Sequence, residues 1–180
     1  MSLRVAILIA SDRSSRGERP DATGPALAEW AQQRGWQVVT QAILPDDYVA
    51  LRNWLMARCD EGGIDVILTS GGTGVAPRDV TPEATRAVMD REVPGLAEAI
   101  RAASLTRTPH AMLSRGIAGI RKRTLIVNLP GSPKGALESL EVIAPALPHA
   151  VALLRESPQA EAGHEVGRSV SVQNPVDQHK

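Results

Sequence analysis

Phenylalanine is absent from the 180 residues, and the aromatic set stops at three tryptophans and one tyrosine. Platforms that bind single-stranded nucleic acid are built from stacked aromatic faces, so this composition argues against one and leaves Leu, Val, Ile and Ala to fill the core. Cysteine occurs once, as Cys59, which excludes an intramolecular disulfide. Its place on the apolar stripe of a helix makes it a small core residue in a reducing compartment. Excess charge of one sign is also missing: Lys and Arg total 20, as do Asp and Glu, where a protein gripping phosphate backbones would carry a basic surplus. The one basic run, Arg121-Lys122-Arg123, reads as a solvated turn between strands. No apolar run is long enough to span a bilayer, and the short N-terminal one leads into no small-residue cleavage site. A cytoplasmic protein without nucleic-acid or membrane partners is expected.

The length fits one domain that buries its own core, placed here at residues 1–157, with 158–180 as a polar and flexible C-terminal tail. Residues 3–10 form a continuous apolar strand. Thr23 or Gly24 leads into Pro25 and a helix that turns Leu27, Trp30 and Ala31 inward and stops at Gly35. A second strand covers 36–44. Asp46 or Asp47 then caps a helix carrying Leu51, Trp54, Leu55, Arg58 and Cys59 on one face, and 65–68 is the third strand. This β-α-β-α-β order calls for a parallel sheet with right-handed crossovers. Helices over 82–91 and 94–103, a hairpin from 116–120 and 124–129, and helices over 133–143 and 145–154 follow. The expected fold class is α/β: a single-domain three-layer sandwich, its mostly parallel sheet flanked by helices, with a small β-hairpin extension.

In such a sheet the strand ends share one edge, where ligands bind. The polar loops all fall there. Ser11, Asp12 and Arg13 follow the first strand, Asp46 and Asp47 the second, and Pro130, Gly131, Ser132 and Lys134 the last. After the third strand come Ser70, Gly71, Gly72, Thr73 and Gly74, whose glycines permit positive φ and close approach to main-chain N–H groups while the hydroxyls add donors for phosphate oxygens. Arg78 and Asp79 stand at the rim. Thr81 reads as the N-cap of the following helix, with Pro82 at its first position. Asp12 fits an Asx-type turn as well as a ligand contact, and Asp46 fits a helix cap, although Asp47 is the better cap. The Gly-x4-Gly-Lys-Ser/Thr loop is missing, as are the dinucleotide glycine pattern, a Gly-x-Ser-x-Gly elbow, and metal-ligand spacing around His110 and His149.

The run Ser70-Gly71-Gly72-Thr73-Gly74-Val75-Ala76-Pro77-Arg78-Asp79-Val80-Thr81-Pro82-Glu83 resembles the signature of the molybdopterin-binding domain family, and Leu129-Pro130-Gly131-Ser132-Pro133 resembles its second hallmark. That family includes Mog-type molybdopterin adenylyltransferases, MoaB-type proteins and the gephyrin G domain. The resemblance implies magnesium-dependent transfer of AMP from ATP to molybdopterin, with pyrophosphate released. It makes Asp46 and Asp79 the catalytic, magnesium-placing carboxylates and assigns Ser114 to a segment near the pterin. Arg78, Lys134 and Arg13 would offset phosphate charge. A homotrimer or hexamer is implied, with the molybdate-inserting enzyme as a pathway partner; the alternative is a MoaB-like protein that binds molybdopterin or nucleotide with little turnover.

Overall fold

An apolar run such as Leu3 to Ala10 is stable as a strand only where both of its faces are covered. In the computed structural model, which describes residues 2–157, it forms β1 (Arg4–Ala10), buried throughout after Arg4. The expected tail at 158–180 lies outside the described residues. The remaining elements are α1 (Asp12–Ser15), α2 (Thr23–Gln33), β2 (Gln37–Leu44), α3 (Tyr48–Glu61), β3 (Val66–Ser70), α4 (Thr81–Arg86), β4 (Arg91–Glu92), α5 (Pro94–Leu105), a 3-10 turn (Pro109–Leu113), β5 (Ala118–Arg121), β6 (Thr124–Leu129), α6 (Pro133–Ile143) and α7 (Leu147–Leu154).

The sheet runs β2-β1-β3-β6-β5-β4. Its first four strands are parallel, while β5 pairs antiparallel with both β6 and β4. The expected hairpin is therefore built into the sheet, with β6 as an interior strand. Ala10 pairs with Leu44, Ile9 with Ser70, and Ser70 with Leu129, so four strands end on one edge. The chain reverses direction of travel across the sheet between β1 and β3, where a crevice opens.

Alternation along β1 divides the core in two. Leu3, Val5, Ile7 and Ile9 pack with Leu27, Trp30, Leu140 and Val151 on one face, and Ala6, Leu8 and Ala10 with Leu51, Leu55, Cys59 and Ala84 on the other. Cys59 is a core residue, its thiol pushed up to about 12 by burial. Arg121-Lys122 forms the expected turn, with Lys122 at φ 52, but it is not merely solvated: both side chains hold Asp60, at 2.9 and 2.8 Å.

Most boundaries shift by a residue or two, and those at α4 and α7 have consequences for the chain path. The helix expected over 82–91 stops at Arg86, because Asp90 donates its N–H to Ile120 O at 2.7 Å and draws Arg91 and Glu92 into β4. Thr81 is the first helical residue and caps nothing. The helix expected from 145 begins at Leu147. Among the described residues no single helix is long and apolar enough to cross a membrane.

Candidate active site

The loops after β1 and β2 are clasped by two aspartates. Asp12 N–H donates to Asp46 Oδ2 at 2.9 Å, and Asp46 N–H donates to Asp12 Oδ1 at 3.1 Å. Asp12 thus makes a bridge between loops, where a local turn was one expectation. Asp47 caps α3, accepting Ala50 N–H at 2.8 Å, which leaves the Asp46 carboxylate free to face the crevice. Burial pushes the Asp46 carboxyl above its ordinary range; the charges of Asp12 and Asp79 push the same way, against the Asp12 N–H and Arg78.

Arg78 pairs with the first of the two clasping aspartates. Its guanidinium makes a two-pronged bond to Asp12, at 2.9 and 2.6 Å, and holds that carboxyl below the usual range. The cation expected to meet phosphate is thus ion-paired to Asp12 while its side chain stays exposed. Asp79 sits in its own tight turn, its Oδ2 accepting Ala76 N–H and its N–H donating to Ala76 O, both at 2.9 Å.

The glycines are required by packing between loops. A Cβ on Gly71, at φ +100, would run into the Ala10 carbonyl oxygen. One on Gly72, at φ +61, would run into Thr81 Oγ1 and lie 3.1 Å from Asp46 Oδ1. One on Gly131 would stand 3.2 Å from Gly71 Cα, so the loops after β3 and β6 meet glycine to glycine. Ser70 Oγ fastens this junction by donating to Pro130 O at 2.8 Å, and Ser132 caps α6 through Gly135 N–H at 3.1 Å. Thr81 donates its N–H to Gly72 O at 3.1 Å, but its wholly buried hydroxyl has no partner.

Arg115 holds the glycine loop from the far side. Its N–H donates to Thr73 O at 2.8 Å and its Nε to Gly74 O at 2.6 Å, while the guanidinium reaches Asp79 O and Glu83. The family resemblance brings Ser114 and Arg115 together to this region; what sequence does not give is the role of Arg115 as a clamp on the loop.

Two cavities result. One of about 360 Å³ is lined by Ser11, Asp46, Ser70, Gly72 and Asp79, with Arg19 and Thr23 on its other wall. A second of about 300 Å³ is lined by Thr73, Gly74, Ser114 and Pro130, together with Arg101, Ser104 and Arg107. Gly131 and Ser132 line both and form the partition. Arg13, Arg78 and Lys134 line neither, whereas Arg19, Arg101 and Arg107 carry no motif that sequence could have flagged.

A hard cation fits the first cavity. Asp46 and Asp79 offer carboxylate oxygens on one space, and the unpartnered Thr81 hydroxyl lies beside Asp46 across Gly72. The described residues contain no group of three or more His, Cys, Asp or Glu arranged for a metal. A cation here would take two carboxylates and complete its shell with water and ligand phosphate, the habit of magnesium.

A family model described as a probable molybdopterin binding domain matches residues 6–149. The molybdopterin adenylyltransferase of Escherichia coli K12 is 41% identical over 180 residues, covering 92% of this chain and 91% of its own length. That of Helicobacter pylori J99 is 41% identical over 155 residues, covering 85% of this chain and 88% of its own. Among solved structures, the molybdopterin biosynthesis enzyme MoaB of Thermus thermophilus superposes with a TM-score of 0.81 at 53% identity, covering 87% of this chain and 98% of that one. The Mog protein of Mycobacterium ulcerans gives 0.80 at 41% identity, covering 87% and 99%.

Proposed function

The chain belongs to the molybdopterin binding domain family, and from that premise we propose that it is a molybdopterin adenylyltransferase of molybdenum cofactor biosynthesis, moving AMP from ATP to the terminal phosphate of molybdopterin. The observation that carries this is the pair of adjoining cavities: one bears Asp46 and Asp79, the other Ser114, and they share Gly131 and Ser132. The nucleotide phosphates occupy the aspartate side and the pterin the Ser114 side, so that the two phosphates meet at the partition. A molybdopterin phosphate oxygen attacks the α-phosphorus, the bond from that phosphorus to the bridging oxygen breaks, and pyrophosphate leaves. No protein nucleophile is needed.

The protein's share is positioning. The Asp12–Asp46 clasp and the Ala76–Asp79 turn fix the two carboxylates, and Arg115 holds the loop between them. Magnesium, held by Asp46 and Asp79, would neutralise charge on the phosphates. The family resemblance extends the proposal to a cytoplasmic homotrimer or hexamer that supplies a molybdate-inserting enzyme.

The family resemblance keeps a second reading, a MoaB-like protein that binds molybdopterin or nucleotide with little turnover. Incubation with molybdopterin and ATP, in magnesium and then in excess chelator at constant ionic strength, separates the two. Adenylylated product is expected in magnesium only. Asp46→Asn and Asp79→Asn should stay folded and lose most of it. Tight molybdopterin binding without AMP transfer under any divalent-ion condition would select the second reading.

A further inference from the structure

A triphosphate brings more negative charge than an aspartate-lined cavity tolerates, so the cations facing it matter most. Three arginines line the two cavities. Arg101 is engaged by Gly116 O at 2.7 Å and Arg107 by Glu138 at 2.7 Å, both on the second cavity. Arg19 is the only cationic residue lining the first, and it makes no hydrogen bond or ion pair among the described residues. Nearby charges do not compete for it: Glu18 is taken by Arg16 at 2.6 Å, and Asp21 accepts Thr23 N–H and Gly24 N–H at the start of α2. Arg78, the cation nearest in sequence to the glycine loop, is committed to Asp12.

The backbone around Arg19 is held in place. Glu18 N–H donates to Arg13 O at 2.9 Å, Gly17 turns at φ +72, and Pro20 and the Asp21 cap follow directly. The segment leaves α1 and enters α2 as one wall of the cavity, with the guanidinium as its free cation. A planar fork of N–H donors suits phosphate oxygens better than any other side chain.

We propose that Arg19 binds the β- and γ-phosphates of the nucleotide, the part that leaves as pyrophosphate. This rests on the adenylyltransferase reading for the identity of the anion. The α-phosphorus must lie at the partition shared by both cavities, at Gly131 and Ser132. Arg19 lines only the first, so its partners are the phosphates on the side away from the acceptor.

The test is calorimetric titration of the full chain with magnesium pyrophosphate and, separately, with AMP, in wild type, Arg19→Met and Arg19→Lys. Arg19→Met should weaken pyrophosphate about tenfold or more, the worth of one charge-assisted contact, and change AMP less than about twofold. Arg19→Lys should fall between. All three should melt alike, because the side chain is exposed and unpaired. Pyrophosphate bound equally by wild type and Arg19→Met, an equal loss for AMP, or no pyrophosphate binding by wild type would each overturn the proposal. Pyrophosphate binding lost in Arg19→Met, alongside a wild type that transfers no AMP, would uphold the anion site and reject the transferase reading instead.

Discussion

Thr81 keeps a wholly buried hydroxyl with nothing to bond, pressed against Gly72 and beside Asp46. An unsatisfied buried hydroxyl costs about 1–3 kcal/mol. Thr81→Val keeps the β-branched shape and removes the cost, so the melting temperature should rise by about 2–4 °C for each kcal/mol recovered, while AMP transfer falls because an oxygen on the Asp46 side of Gly72 is gone. Thr81→Ser should restore transfer; a valine variant that melts lower and turns over as wild type would show that the hydroxyl is an ordinary packing group. Sequence pattern made Thr81 a cap, because threonine before proline and glutamate reads that way, and only the fold reveals that its hydroxyl caps nothing. The same limit applies to Arg78. Its neighbour Asp79 lands on the crevice as expected, but the charge on Arg78 is cancelled by Asp12, distant in sequence. Where the local chemistry was decisive, as in choosing Asp47 over Asp46 for the α3 cap, sequence was enough.

The glycine loop between β3 and α4 is an element without regular structure, and Arg115 supplies the rigidity that hydrogen-bond ladders supply elsewhere. Arg115→Met should free the Gly74 and Asp79 carbonyls, lower the melting temperature by a few degrees, and reduce turnover far more than molybdopterin affinity. Arg115→Lys should recover part of the stability and little of the turnover, since a single ammonium cannot reach Gly74, Asp79 and Glu83 together. Steady-state kinetics beside a thermal melt would check both; equal losses in turnover and affinity would mean that the residue only holds the fold. Such a clamp is invisible to periodicity, which reads elements by repeating apolar positions. That is why β1, β2, β3, β6 and the long helices were legible, whereas α1, the 3-10 turn and the two exposed residues of β4 were not: each is too short to repeat a pattern.

At the scale of the whole molecule, strand order alone brought the polar loops to one edge, so the location of the site was legible before its geometry. The division into two cavities was not, because it depends on Gly131 touching Gly71 across two strands. The opposite edge of the sheet carries a long-range polar assembly that ties the end of the described chain to its beginning. Asp65, nearly buried, accepts Arg155 at 3.0 and 2.5 Å, Arg4 N–H at 2.7 Å and the Arg4 guanidinium at 3.3 Å. Burial pushes its carboxyl up, but Arg155 and Arg4 outweigh that and hold it below the ordinary range. A lowered folded value means that this stability is complete above the unfolded value of about 3.9 and is lost as pH falls through the folded one. Removing one partner of a buried pair costs about 3–5 kcal/mol, and less here because both arginine side chains are a third or more exposed. Asp65→Asn should therefore melt several degrees lower at pH 7, with the gap to wild type closing below about pH 4. Truncation tests the same tie. Among the described residues, both core clusters and both cavities are built before 157, and a chain ending at Ser157 keeps the Arg155–Asp65 tie. One ending at Leu154 loses Arg155 and should melt about as low as Asp65→Asn, with no further loss when the two changes are combined. An additive loss would mean that the last three residues stabilise the fold by some route other than Asp65.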